Sequence, residues 1–450
     1  RFRQDLARAL PLWLSEELVT PEQADRLSAY YRLDEVDSTH RSGFVSALLL
    51  FGALLVGLGV LSFVAANWAS LSPATRAVGG LVLLVAANYS GYRLWNQAAK
   101  RRWGGALLTI GAFLLGGNIV LMAQWFQVAG SPANLFLAWG LGCLLMGWSL
   151  GFGLLVAMAS ALWIGAMAAE APLPWLFPWV MAGVVLPIAS WCGSRAAWLV
   201  GAVALGVGLQ FVLIPLGPVG WTIGALAVLL GIWGVAELAG GAMPWRSLLQ
   251  RLGGQVAPDG APVETAVGRP LVLLGTLGIF QVWAFGDIWR AAAEPQDLGA
   301  FDGVAYMSAA CFIAVSLAVY VLAWRKAEEP LLHRALGGAS LLLVALLAIG
   351  GTHAGFGLAT NALLLALELV LAWRGLQRGE RAWFWLGFGS LSVQVVARFF
   401  EFETGLLMRS LAFVVWGLAL IGVGAWFERT ITRPATPTPG QPPLAETGGT

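Results

Sequence analysis

Between Phe44 and Leu150 the chain holds four apolar runs in close succession, and similar runs continue to Phe427. Each is near the roughly 20 residues that a helix needs to cross a hydrocarbon core about 30 Å thick. Inside a bilayer the backbone amides find no water, so a spanning segment must satisfy them internally, as a helix or in a closed barrel. Barrel strands alternate apolar and polar positions. These runs do not alternate and are rich in Gly, Ala and Leu. Composition agrees: 58% of the 450 residues are hydrophobic and 11% charged, with a mean hydropathy of +0.76. Water-solvated domains hold about 25% charged residues, which excludes a soluble fold. The expected class is all-α, a polytopic transmembrane helical bundle.

The runs predict about fourteen spans, at 44–66, 74–95, 105–124, 134–150, 153–169, 175–193, 196–214, 219–239, 270–289, 303–324, 335–352, 356–373, 382–397 and 407–427. Leu150-Gly151-Phe152-Gly153 carries no charge. A single helix over 134–169 would nevertheless be about 54 Å long, too long for one crossing, so a turn is expected at the glycines. Charge placement gives a second test, because Lys and Arg collect in cytoplasmic loops. With residues 1–43 inside, all 26 Lys and Arg except Arg76, Arg290, Arg398 and Arg409 fall on inside loops. Fusing the fourth and fifth runs would reverse every later loop and destroy that asymmetry. Both termini are therefore expected in the cytoplasm, with the chain in a bacterial inner (plasma) membrane. No cleavable signal peptide is expected, since the first 40 residues hold no apolar core.

The expected organisation follows the charges. Residues 1–43 read as a short cytoplasmic helical hairpin, its second helix starting at Thr20-Pro21-Glu22-Gln23 with a capping box and proline at the first helical position. Residues 44–239 form eight spans and 270–428 six. Between them, 240–269 is a cytoplasmic linker in which Trp245, Leu248, Leu249 and Leu252 share one helical face, as in an interfacial helix. The Pro- and Thr-rich tail, 429–450, reads as disordered. Trp68, Trp95, Trp103, Trp125, Trp175, Trp221 and Trp245 stand at span ends, where indole favours the headgroup layer.

Several short stretches, taken in order, resemble a known family. They are Trp13 with Thr20-Pro21-Glu22-Gln23-Ala24, Gly52-Ala53-Leu54-Leu55, Ala65-Ala66-Asn67-Trp68, Gly91-Tyr92, Gly116-Gly117-Asn118-Ile119 and Gln124-Trp125-Phe126. Near the other end stand Ala397-Arg398-Phe399-Phe400-Glu401-Phe402, Arg409-Ser410-Leu411 and Phe427-Glu428-Arg429. Together they resemble the bacterial predicted membrane proteins grouped under domain of unknown function 2157. The likeness to the domain covers roughly residues 5–150, and the C-terminal likeness is looser. That family has no established activity or cofactor, so the resemblance implies a membrane location and no mechanism.

Polar residues at membrane depth are the candidate sites, because such groups are costly and face a bundle interior or water. Glu368 stands in a run of Leu and Ala six residues before Arg374, about 9 Å away by helical rise. It reads either as a proton carrier or as a carboxylate hydrogen-bonded to a neighbouring helix. Arg398 and Glu401 have the spacing of helical neighbours and predict an ion pair. With Arg409 they could instead hold the phosphate or carboxylate of a lipid-linked substrate at the outer face. The amides Asn67, Asn88, Asn118, Gln124, Gln210, Gln281, Asn361 and Gln394 predict interhelical hydrogen bonds, and the glycines flanking Asn118 suggest a locally opened helix. No HExxH, Walker, GxSxG or CxxC pattern is present, so no catalytic, cofactor or metal residue is expected. The expectation is a non-enzymatic protein, a transporter-like bundle or envelope scaffold, with an outer-face enzyme as the alternative. Membrane lipid and other envelope membrane proteins are the expected partners, and a net charge of +2 gives no reason for nucleic acid.

Overall fold

The computed structural model describes residues 18–31, 72–127, 130–213, 216–240, 262–285, 287–289, 303–349, 354–378 and 380–401, with positions 10, 13, 14, 16, 415 and 422 besides. Among these there is no strand. The chain divides into two compact units, Arg1–Gly79 and Gly80–Thr450. In the first, helix α1 (Pro21–Tyr31) starts at its capping box: the Thr20 amide donates to Gln23 Oε1 at 3.0 Å, and the Gln23 amide donates to Thr20 Oγ1 at 3.3 Å. Each closes one amide that the helix itself leaves without a partner. The rest of the expected hairpin, the first and last expected spans, the linker and the tail lie wholly or largely outside the described residues.

Helix α2 (Pro73–Trp95) begins in the first unit and continues into the second. There follow α3 (Arg101–Trp125), α4 (Pro132–Leu150), α5 (Gly153–Ala168), α6 (Pro174–Trp191), α7 (Arg195–Leu213), α8 (Gly217–Gly240), α9 (Val263–Trp283), α10 (Gly303–Ala323), α11 (Pro330–Ile349), α12 (Ala354–Arg378) and α13 (Arg381–Glu401). Among the described residues nine helices are long and apolar enough to cross a membrane, and α5 is an apolar helix of 16 residues. The turn expected at the glycines is present. Gly151 adopts φ 61°, its amide donates to Trp148 O and the Phe152 amide donates to Gly147 O. This left-handed cap closes the last carbonyls of α4 and suits a residue without Cβ.

Helix α6 changes register part-way. Pro187 has no amide to give, and its ring crowds the carbonyl four residues back, that of Gly183. The ladder shifts accordingly, and Met181–Val185 form a π-helical turn. In the packing, α4 pairs with α5, α5 lies on α7, α7 on α8, and α8 on both α9 and α10. Helix α9 meets α12 and α13, which pair with each other. At the centre stands α8, with 67% of its most apolar stretch buried against 28% for α3, α4 and α10.

Tryptophans fasten the helices as well as marking their ends. Trp139 Nε1 donates to Ala112 O at 2.7 Å, Trp163 Nε1 to Leu137 O at 3.1 Å, and Trp95 Nε1 to Leu150 O at 3.2 Å. Trp103, Trp125 and Trp221 remain exposed at or near helix ends. The opened helix suggested around Asn118 is absent, and α3 runs unbroken through Gly116, Gly117 and Asn118. Gly116 instead receives the Trp139 ring, which a methyl group there would meet at 2.4 Å.

Candidate functional site

Helices α12 and α13 touch backbone to backbone. A methyl group on Gly375 would stand 2.3 Å from the Phe384 nitrogen, and one on Gly387 would stand 2.7 Å from the Glu368 carbonyl oxygen. Glycine at these two positions lets short polar side chains bridge the pair. Glu368, on α12, is 1% exposed. Its Oε1 accepts from Ser390 Oγ of α13 at 2.7 Å and from Gln281 Nε2 of α9 at 3.4 Å. Gln281 Nε2 also donates to the Ser390 carbonyl at 3.0 Å. Three apolar helices therefore meet on one carboxylate. Its other oxygen, Oε2, is buried with no hydrogen-bond partner, as is Gln281 Oε1. Among the described residues no cation pairs with Glu368.

From Ser390 the polar positions continue along α13 at four-residue steps, through Gln394 to Arg398, which places them on one stripe about 12 Å long. Gln394 Nε2 donates to Asn361 Oδ1 of α12 at 3.0 Å and to Asn361 O at 3.1 Å. Asn361 Nδ2 and Arg398 Nη1 both donate to Ala284 O, at 2.9 and 2.8 Å. The Arg398 guanidinium also lies over the Phe285 ring, 4.5 Å from its centroid. Ala284 caps the C-terminus of α9, where carbonyls lack intrahelical partners and a positive charge is favoured. One polar seam therefore runs from Glu368 to Arg398 between α9, α12 and α13.

Two other buried acids of the bundle, Glu237 and Glu329, are differently supplied. Glu237, on α8, is fully buried; its Oε2 accepts the Glu328 amide at 2.7 Å, and its Oε1 lies 3.2 Å from Arg269 Nη2. Arg269 also holds Glu328, at 2.7 Å. Glu329, fully buried, lies 3.3 Å from Arg374 Nη2 and 2.6 Å from Arg378 Nη1. The turn between α10 and α11 is thus gripped by charges from α8, α9 and α12. Beside it Tyr320 Oη donates to the His333 carbonyl, and the two rings stack at 4.0 Å.

Of the residues singled out in the sequence, Glu368 and Arg398 fall on the seam, with the amides Gln281, Asn361 and Gln394. Asn118 lies elsewhere: its Nδ2 donates to Gly80 O of α2 at 3.0 Å and to Leu114 O at 2.8 Å. Gln124 is exposed at the end of α3. Glu401 ends α13, its side chain lying outside the described residues with Asn67 and Arg409. Sequence reasoning does not single out Ser390, Glu237, Glu264 or Glu329. Glu237 carried a signal, as an acid inside an apolar run. The others stand near loops or among hydroxyl-bearing residues, where sequence does not report burial. Among the described residues no group of three or more His, Cys, Asp or Glu could hold a metal ion.

Fold and seam together describe a membrane protein with several apolar helices and a polar line inside them. Residues 11–156 match the family model described as Predicted membrane protein (DUF2157), the family that the sequence resembles. No curated protein and no solved structure matches the chain.

Proposed function

We propose that the protein is a non-enzymatic, transporter-like bundle of about fourteen spans, in a bacterial inner membrane with both termini inside. In this reading Glu368 accepts and releases a proton within the α9–α12–α13 seam. One contrast supports it. Glu237 and Glu329 are buried with cations beside them, as a structural acid in an apolar bundle should be. Glu368 is as deeply buried and lacks a cation among the described residues. A bound proton would neutralise that group and give the second oxygen something to donate.

The test is a proton-flux measurement on the full chain in liposomes loaded with a pH-sensitive dye, with the membrane potential clamped. Wild-type protein should dissipate an imposed pH step faster than protein-free vesicles. Glu368→Gln, which keeps the shape and the Ser390 bond, should return the rate to that of the protein-free vesicles. Equal rates for the two proteins would sink the proton-carrier reading. The alternative, an enzyme holding a lipid-linked substrate through Arg398, Glu401 and Arg409, has less support, since the Arg398 guanidinium already binds the end of α9. Arg398→Ala separates the roles: a fastener lost should lower the amount of folded protein, whereas a substrate-binding arginine lost should leave it unchanged.

A further inference from the structure

A second buried acid without a cation, Glu264, stands apart from the seam. It is 3% exposed, lies in the first turn of α9, and has no hydrogen bond or ion pair among the described residues. It lines a cavity of about 600 Å³ whose other walls are almost wholly apolar, with Trp179 and Gly183 on α6, Trp198 on α7, Ile232 on α8 and Phe312 on α10. That volume lies in the range of ligand sites, about 300–1,000 Å³. The lining on α8 runs from Val228 to Val235 and on α10 from Phe312 to Val319, so the slot extends about 10 Å along the helix axes. Glu264 stands at one end of it, a turn before Gly268, which abuts Trp198, Ala236 and Ile232.

The slot opens sideways. Val235 and Val315 on its rim are 38% and 49% exposed, and Gly183 and Pro187 are exposed as well. They belong to helices apolar and long enough to cross a membrane, so in a bilayer this mouth would face lipid. The π-helical turn of α6 forms part of the wall, and at Gly183 no atom lies within 4 Å of where a side chain would begin. An apolar slot parallel to the helices fits an acyl chain. A buried carboxylate with no cation among the described residues calls for a positive partner at that end.

We infer that this cavity holds one acyl chain of a membrane phospholipid whose primary ammonium headgroup, that of phosphatidylethanolamine, pairs with Glu264. Anionic phosphatidylglycerol offers the same chains and no cation, which makes it the comparison. The site does not depend on the role of Glu368.

The experiment is native mass spectrometry of the full chain in detergent, titrated with an equimolar mixture of phosphatidylethanolamine and phosphatidylglycerol. Wild-type protein should carry the amine lipid in severalfold excess. Glu264→Gln should abolish that preference, giving a ratio near one. Gly183→Leu begins a side chain in open space at the slot wall and should remove the bound lipid, with an unchanged thermal midpoint as the check that the variant is folded. An unchanged ratio in Glu264→Gln, a wild-type preference for phosphatidylglycerol, or full lipid retention in Gly183→Leu would each overturn the assignment.

Discussion

At the scale of single residues, the buried acids divide by what surrounds them, and they should respond differently to substitution. Removing Glu329 leaves Arg374 and Arg378 facing each other without their anion. Arg374 and Arg378 are only part-buried, so the cost falls between the ~1 kcal/mol of an exposed pair and the roughly 3–5 kcal/mol of a fully buried one, and Glu329→Ala should lower the thermal midpoint in micelles. Glu368→Gln strands no cation and keeps an acceptor for Ser390 Oγ, so its midpoint should shift by less than about 1 kcal/mol in equivalent stability. A thermal scan of both variants by tryptophan fluorescence separates these outcomes; a large loss in Glu368→Gln would mean that the carboxylate is structural. That Glu368 mattered could be read from the sequence, because an acid in a run of Leu and Ala is conspicuous. Its partners could not, since Ser390 and Gln281 are 22 and 87 residues away and come from other helices.

Among the elements, the close pairing of α12 and α13 sets the geometry of the seam. Gly387→Ala would place a methyl group against the Glu368 carbonyl, with backbone rather than a flexible side chain in its way. Overpacking of this kind costs about 1–3 kcal/mol. The expected result is a lower thermal midpoint and slower proton flux, while Gly389→Ala, with open space around it, should change neither. Equal behaviour of the two variants would show that the helix contact does not position the carboxylate. The helices themselves were legible because bilayer thickness imposes their length, and the α4–α5 turn because one helix would have been too long. Side-chain contacts between helices were less so: apolar surfaces rich in Gly and Ala can pair in many registers. Asn118 illustrates the limit, since its flanking glycines suggest a break, whereas the helix runs on and one of them, Gly116, accommodates the ring of Trp139.

For the molecule as a whole, the inside-positive pattern predicts that 240–269 faces the cell interior. A single cysteine placed there should resist a membrane-impermeant thiol reagent in intact cells and react once the membrane is opened. Native background should be low, because Cys143 and Cys192 are buried and Cys311, which is exposed on the apolar helix α10, can be replaced by serine. Labelling in intact cells would reverse the assigned sidedness. The segment that matches the family model ends at residue 156, and every buried acid discussed above lies beyond it. From Ser38 to Ala169 the sequence contains neither Asp nor Glu. A shorter protein made of that portion alone could embed in a bilayer and still have no carboxylate at membrane depth to exchange protons with, so protonation chemistry, if this chain performs it, is an attribute of its second half.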